Sequence, residues 1–385
     1  VMAKKRVQII LFSESVSANV TPILDSRMQP NEVVFVAITR LQQAVNSASA
    51  FIEEIGITTK TVFIDDAWNF NDLLITISAL LQYPDKVDYE LNISGGNKVL
   101  AIAAYEVFKQ ENLGIFQVNQ TSDVVVWLNN PANKGVINLE DHLSIERYFQ
   151  LQGVAVTHQQ TSKISQEAQR LGKRWVKRAR HLTKGLALLN HLASTANNLK
   201  LCSRRLSSQE YYNAQLQELV GSLEFYHLVT LEKKRLIFSS EEDRAFCNGF
   251  WLEEYVFSEL DKIARESEYI QDVARGVEVV WDYGNSTVRN ELDVVFLANN
   301  QLFIIECKAR NFLAQRKSGI NTIYKMEALL HRLGGKNACG VIASFGNFNV
   351  HNKERARLMG LCILEAEKLL DLKKHIFHIM QDVEK

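Results

Sequence analysis

Proline and cysteine are sparse in these 385 residues, and long apolar runs are missing altogether. With four prolines and 46% hydrophobic content, the chain is long enough for two or three folded domains, each burying a core of its own. The five cysteines (Cys202, Cys247, Cys307, Cys339, Cys362) are scattered with no CxxC spacing. That argues against both a zinc site and a disulfide framework, and a cytoplasmic home fits. His375 and His378 form the one close histidine pair, but no third ligand lies near, so they read as solvated surface. No stretch reaches the roughly 18 apolar residues of a membrane span, and no membrane partner is expected. The opening VMAKKRVQIILF is too short in apolar residues for a signal peptide. Met2 is expected to begin the natural chain, with Val1 left over from expression.

An excess of charge is also absent, yet the zero total hides a bias. Residues 1–150 carry 11 basic and 17 acidic side chains, residues 161–240 carry 14 and 5, and residues 241–385 carry 19 and 22. The basic middle is either a solvated helical face or a surface for nucleic-acid phosphates, and both readings stay open.

Periodicity divides the chain into three expected units, 1–140, 141–240 and 241–385. In the first, RVQIILF, EVVFVAIT, TKTVFID, VDYELNI, GIFQV and DVVVWL read as strands, with helical spacing at about 16–28, 41–55, 70–82 and 97–111. Near-continuous apolar strands alternating with helices predict a Rossmann-like α/β unit with a mostly parallel sheet and a terminal hairpin. The second unit reads as helices closed by the hairpin FYHLVTLEKKRLIFSS, the outline of a winged helix-turn-helix. The third opens with a helix over 243–266, followed by strands, a helix at about 315–333, a strand ACGVIAS and closing helices.

Within that third unit, RNELDVVFLANNQLFIIECKAR (289–310) holds the chemistry. Asn299-Asn300 suits a two-residue hairpin turn, because Asn tolerates positive φ. That turn makes opposite residues sum to 599, so Asp293 faces Glu306 and Glu291 faces Lys308, and the two-residue period puts all four on one face. Opposed carboxylates on an apolar sheet require a cation. Oxygen ligands favour Mg²⁺ or Mn²⁺ over zinc. On the helix, the wheel of Phe246, Gly249, Phe250, Val256, Phe257, Leu260, Ile263 and Ala264 places Glu253 near the centre of the apolar stripe and Glu254 about 100° away. Glu253 is therefore the expected fifth member. A buried salt-bridge cluster without catalysis is the alternative; three or more carboxylates against one lysine argue against it.

This pattern, a helical Glu, then E-x-D, a hairpin and E-x-K, resembles the PD-(D/E)xK nucleases. The resemblance implies that Asp293, Glu306 and the Cys307 carbonyl hold the metal with help from Glu253. It further implies that Lys308 activates water and stabilises charge on phosphate, that Glu291 assists, and that Lys325 on the following helix supports. Basic residues from Lys308 through Arg310 to Arg316 and Lys317 could track a nucleic-acid backbone.

Upstream, a strand leads into Ser94-Gly95-Gly96-Asn97-Lys98 and a helix, a geometry that holds anions, although an ordinary turn explains it as well. With LFSESVSANV, NISGGNKVLAIAAYE, GFWLEEYV, NELDVVF, FIIECKAR and YKMEALLHRLGG, nearly the whole chain resembles the CARF-domain ancillary nucleases of type III CRISPR systems. One departure is Asn97, where Thr is usual. The resemblance implies a homodimer sharing one cyclic oligoadenylate, cyclic tetra-adenylate above all, and a single-stranded RNA or DNA substrate. Ligand contacts carried over by position are Ser13, Ser15, Asn19, Thr39, Ser94, Gly95, Gly96, Asn97 and Lys98; Ser13, Ser15 and Thr39 also suit helix caps. Two rivals remain, a ligand-responsive winged-helix regulator with an inactive nuclease unit and a constitutive repair or restriction nuclease.

Overall fold

A computed structural model describes residues 4–13, 16–82, 86–196, 201–284, 286–309 and 316–383. The N-terminal alternation folds as β1 (Lys5–Leu11), α1 (Val16–Leu24), β2 (Glu32–Ile38), α2 (Gln42–Glu54), β3 (Thr58–Ile64), α3 (Phe70–Leu80), β4 (Val87–Asn92), α4 (Lys98–Gln110), β5 (Gly114–Asn119), β6 (Val124–Asn129) and the short β7 (Ile137–Asn138). The sheet order is β3-β2-β1-β4-β5-β6-β7. Pairings from β3 through β5 are parallel, while β5–β6 is the expected antiparallel hairpin. The order reverses between β1 and β4, so the crevice at their carboxyl ends is where open α/β sheets take ligands.

The next segment contains α5 (Ile145–Leu151), β8 (Ala155–His158), α6 (Gln166–Lys177), α7 (Ala179–Ser194), α8 (Ser208–Tyr211), α9 (Ala214–Phe225), β9 (Val229–Glu232) and β10 (Arg235–Phe238). The helical run 165–182 breaks at Arg178, which serves as C-cap of one helix and N-cap of the next. The last two strands close through Lys233-Lys234, both at positive φ. Three strands went unread in the sequence: the two-residue β7; Leu361–Glu365, which lies where only closing helices were expected; and β8, which joins the edge of the C-terminal sheet beside β11. Four residues in edge pairing are too few to show a two-residue period.

The remainder is α10 (Glu241–Ala245), α11 (Trp251–Glu266), β11 (Asp272–Tyr283), β12 (Ser286–Ala298), β13 (Gln301–Lys308), α12 (Arg316–Gly334), β14 (Cys339–Ser344), α13 (Val350–Leu358), β15 (Leu361–Glu365), α14 (Ala366–Leu369) and α15 (Leu372–Val383). Its sheet runs β15-β14-β13-β12-β11-β8. The helix expected over 243–266 is interrupted: residues 246–250 form a wide turn with Gly249 at φ 116°. A wheel at constant 100° per residue therefore holds only from Trp251 onward.

Two apolar cores grip this sheet from opposite sides. One joins α6, α7, α9 and α11 to Val294, Phe296, Phe303 and Ile305. The other joins Phe12, Val16 and Val45 of the N-terminal unit, α5, the α12 residues Ile323, Met326, Leu330 and Leu333, and the strand residues Val295, Ile304 and Ile342. Helix α12 is thus packed between the two sheets.

Candidate active site and sensor cavity

The hairpin register matches the turn arithmetic. Asn299 and Asn300 have φ of 50° and 53°, and pairing runs from Ala298↔Gln301 to Val294↔Ile305. Just beyond, the ladder opens: the Asp293 carboxylate, not a backbone carbonyl, accepts the Cys307 amide at 2.7 Å. Strict alternation also breaks at Asp293. Leu292 buries with Val295 and Leu297, whereas Val294 and Phe296 face the other core. On the neighbouring strand the break lies opposite, at Gly276, with φ 53°. Alternation is interrupted there; Glu291 is exposed and paired across the strands with Glu278, and its charge still adds to the repulsion felt by Glu253.

The other candidates converge. Lys308 Nζ lies 2.6 Å from Glu306 Oε1 and 3.7 Å from Asp293 Oδ2. Lys325 Nζ, reaching from α12, lies 3.7 Å from Glu306 Oε1. Burial and then the Glu306 charge push Asp293 up to about 6, although Lys308, the Cys307 amide and Lys325 pull the other way. Glu253 is pushed up to about 9, first by burial and then by Asp293, with Lys308 opposing. Burial favours the neutral Lys308 amine, but Asp293 and Glu306 outweigh it and its pKa is raised, so it is an ammonium at neutral pH. The adjacent Glu254 turns elsewhere: its carboxylate meets Arg275 at 3.4 Å. Among the described residues no three His, Cys, Asp or Glu groups form a ready metal cage, and the Lys308 ammonium sits between the two carboxylates. Arg310 lies outside the described residues, as do the side chains of Arg316 and Lys317.

At the switch point of the N-terminal sheet lies a cavity of about 890 Å³. Its walls include Ser13 after β1, Ile38 at the end of β2 and Arg40 just beyond it, and Ser94, Gly96 and Asn97 after β4. Gly95 explains how these loops close together, since a Cβ there would stand 2.2 Å from the Leu11 carbonyl oxygen and 2.7 Å from Ser13 Oγ. Gly96 needs its φ of +76° to turn the chain into α4. Several expected ligand contacts are occupied by the fold itself. The Ser94 hydroxyl lies 2.5 Å from Asn92 Oδ1 and accepts the Val118 amide at 2.8 Å. Asn97 caps α4, accepting from Leu100 N at 2.8 Å and donating to the Ala67 carbonyl at 2.9 Å. Asn19 is fully buried and donates to the Ser13 carbonyl at 3.3 Å. Thr39 and Lys98 are exposed and do not line the cavity; Ser15 lies outside the described residues. A further part of the wall was not read from the sequence: Gln152, the C-cap of α5, and His331 and Arg332 at the end of α12. Their only trace in the chain was the HRLGG end of a motif noted for its lysine.

Residues 7–148 match the family model of the Card1 CARF domain, and residues 240–383 that of the Card1-like endonuclease domain. No curated protein matches the chain. Among solved structures, protein VC1899 from Vibrio cholerae is 30% identical, with a TM-score of 0.90 and 98% of each chain covered. Can2 from Sulfobacillus thermosulfidooxidans, solved in complex with cyclic tetra-adenylate, is 24% identical, with a TM-score of 0.79 over 97% of each chain. A type III CRISPR defence DNA nuclease activated by cyclic oligoadenylate shares the fold at 15% identity, with a TM-score of 0.56, over 89% of this chain and 45% of that one. With both halves matched by family models and a 30%-identical relative aligned from end to end, the chain belongs to the Card1-like family of CARF-domain endonucleases.

Proposed function

We propose that this endonuclease is switched on by cyclic oligoadenylate, with cyclic tetra-adenylate the expected ring, and that it cuts single-stranded RNA or DNA by metal-assisted hydrolysis. The observation that carries the reading is the convergence of Asp293, Glu306 and Lys308 at the open end of the hairpin. The donor set suits Mg²⁺ or Mn²⁺. Asp293, Glu306 and the Cys307 carbonyl are hard oxygen donors, and such ions are commonly held by one or two carboxylates together with water and substrate phosphate, without a full protein cage. When bound, the ion supplies a Lewis acid for the phosphoryl oxygen and a lowered pKa for water. Lys308, held as an ammonium, donates hydrogen bonds and offsets negative charge developing on phosphate. Lys325 also approaches Glu306, at the same oxygen as Lys308. Glu253 stays protonated until further positive charge arrives, so its carboxyl responds to what fills the site.

A nucleic-acid substrate is supported by α6, whose Arg170, Lys173, Arg174 and Lys177 are exposed, none of them in an ion pair among the described residues. A homodimer is supported by Trp68, Ile75 and Ile102, which are 74%, 69% and 59% exposed. They lie on α3, α4 and the segment before α3, which Asn97 ties to the glycine loop through the Ala67 carbonyl. Two copies meeting there would bring two cavities together around one cyclic ligand. The test is cleavage of labelled single-stranded RNA and DNA with and without cyclic tetra-adenylate and Mn²⁺. Activity should need both additions, and Glu306→Ala should abolish it while nucleotide binding persists. Cutting by Glu306→Ala at the normal rate refutes the site, and cutting independent of nucleotide makes the enzyme constitutive.

A further inference from the structure

The cavity wall contributed by α12 has a chemistry of its own. Among the described lining residues there is no Asp or Glu, while Arg40, His331 and Arg332 are present. Arg332 belongs to the endonuclease half, yet it faces the sensor crevice. Its guanidinium stacks over Trp281 at 5.5 Å and makes one long hydrogen bond, 3.3 Å, to the Gln152 carbonyl. No carboxylate pairs with it among the described residues. A guanidinium has five N–H donors, and among the described residues the Gln152 carbonyl is the one acceptor seen for them. Helix-dipole stabilisation accounts for a cation in a last turn, but not for an Arg braced flat on an indole inside a cavity free of acids.

The same helix reaches the other site. Lys325 and Arg332 are seven residues apart, which is two turns: about 10 Å along the axis and on nearly the same face. Between and beside them Ile323, Met326, Leu330 and Leu333 are pinned in the shared core, so the two cations move together or not at all. We propose that Arg332 is an anion-binding residue of the sensor cavity, taking a phosphate of the ligand, and that through α12 it ties occupancy of the cavity to the position of Lys325 beside Glu306. The proposal rests on the reading of the cavity as a cyclic-oligoadenylate site, and it adds that the endonuclease half itself binds the messenger. Arg332 is a positioning residue for cleavage, since it touches neither substrate nor reacting atoms.

The experiment compares wild type with Arg332→Gln, a variant that keeps bulk on Trp281 and a donor for Gln152 while removing the charge. Calorimetric titration with cyclic tetra-adenylate should give a Kd raised about tenfold to a hundredfold, the worth of a lost charge-assisted hydrogen bond. The salt dependence of binding should become shallower, a change that a purely structural role would not produce. At saturating nucleotide, cleavage should still stay about tenfold below wild type. An unchanged Kd overturns the proposal, and full cleavage at saturation overturns its coupling. If wild type itself fails to bind cyclic tetra-adenylate, the reading of the cavity fails and not the role of Arg332. Should Arg332→Gln not fold, Arg332→Met replaces it: this variant keeps an apolar stem on Trp281 but removes the charge, and an unchanged Kd there is equally fatal.

Discussion

Asp123→Asn should make the protein more stable, increasingly so as pH rises. Asp123 sits in the β5–β6 turn at φ 50°, is 4% exposed, and accepts a 2.6 Å hydrogen bond from Asn300 Nδ2. Asn300 is the tip of the hairpin that carries Asp293 and Glu306, so this contact joins the N-terminal sheet to that of the endonuclease domain. Gln271 completes the joint by donating to the Leu143 carbonyl and accepting the Asn300 amide, both at 2.8 Å. Asp123 is pushed up to about 7, chiefly by burial, with Asp141 and Asp25 adding repulsion and Asn300 opposing. Asp25 is itself tied to Arg27, which leaves little positive charge for its neighbour.

The sign follows from linkage. A carboxyl whose pKa is about 7 when folded and 3.8 when unfolded binds its proton more tightly in the native state. The stability it contributes is complete below pH 4 and is lost as pH rises toward 7. The span of about three units corresponds to an upper limit of about 4 kcal/mol, of which roughly 2–3 kcal/mol is lost between pH 5 and pH 8. Asn does not titrate, tolerates the positive φ, and can accept from Asn300. Thermal unfolding of both proteins at pH 5 and pH 8 should therefore show an advantage for Asp123→Asn that grows by several degrees at the higher pH. An advantage that stays constant or shrinks between the two values would refute the assignment of a strained, buried carboxylate to this joint.

Two further perturbations separate neighbours. Gly95→Ala drives a Cβ into the Leu11 carbonyl and Ser13, a clash worth about 1–3 kcal/mol; nucleotide affinity should fall while nucleotide-free cleavage stays at its baseline, and titration that gives a wild-type Kd rules out the loop contact. Glu253→Gln and Glu254→Gln should behave oppositely despite adjacency. The first replaces a carboxyl already held neutral, so cleavage should drop with stability kept. The second strands Arg275, which is 2% exposed and braced by Phe250, Phe257 and Ser162, and should cost about 3–5 kcal/mol in denaturant unfolding. Equal stability of the two variants would contradict this division of labour.

How far the sequence could be read depended on the range of the interaction. The alternation of strands and helices in the first 130 residues and the register of the β12–β13 hairpin are set locally, by apolar period and by the two Asn residues at positive φ. The breaks in those periods were illegible, because Gly276 and Gly249 look like ordinary interior residues until the backbone shows why they are glycine. Gly249 shifts the phase of α11, and at the paired irregularity of Gly276 and Asp293 the ladder opens for the Asp293 carboxylate. The glycine loop shows the same limit. Ser94 and Asn97 hydrogen-bond to β5 and α4 while also lining the cavity, and no linear pattern shows that a side chain is engaged in a cap.

The least legible feature is the one that joins the two sites. In the chain, residues 94–97 and 331–332 are separated by more than 230 positions, and nothing local indicates that they wall one cavity. What brings them together is the shared core: α12 must bury Ile323, Met326, Leu330 and Leu333 against the catalytic sheet, and the N-terminal unit covers the opposite side of the same core with Phe12, Val16 and Val45. A ligand entering that cavity meets loops of one half and a helix of the other. Any preference it has for one spacing of these walls is therefore a force on α12, and a packed core moves as a unit and does not absorb it. On the proposed reading, occupancy reaches Lys325 and Glu306 over about two helical turns, without a chain of intermediaries between ligand and substrate.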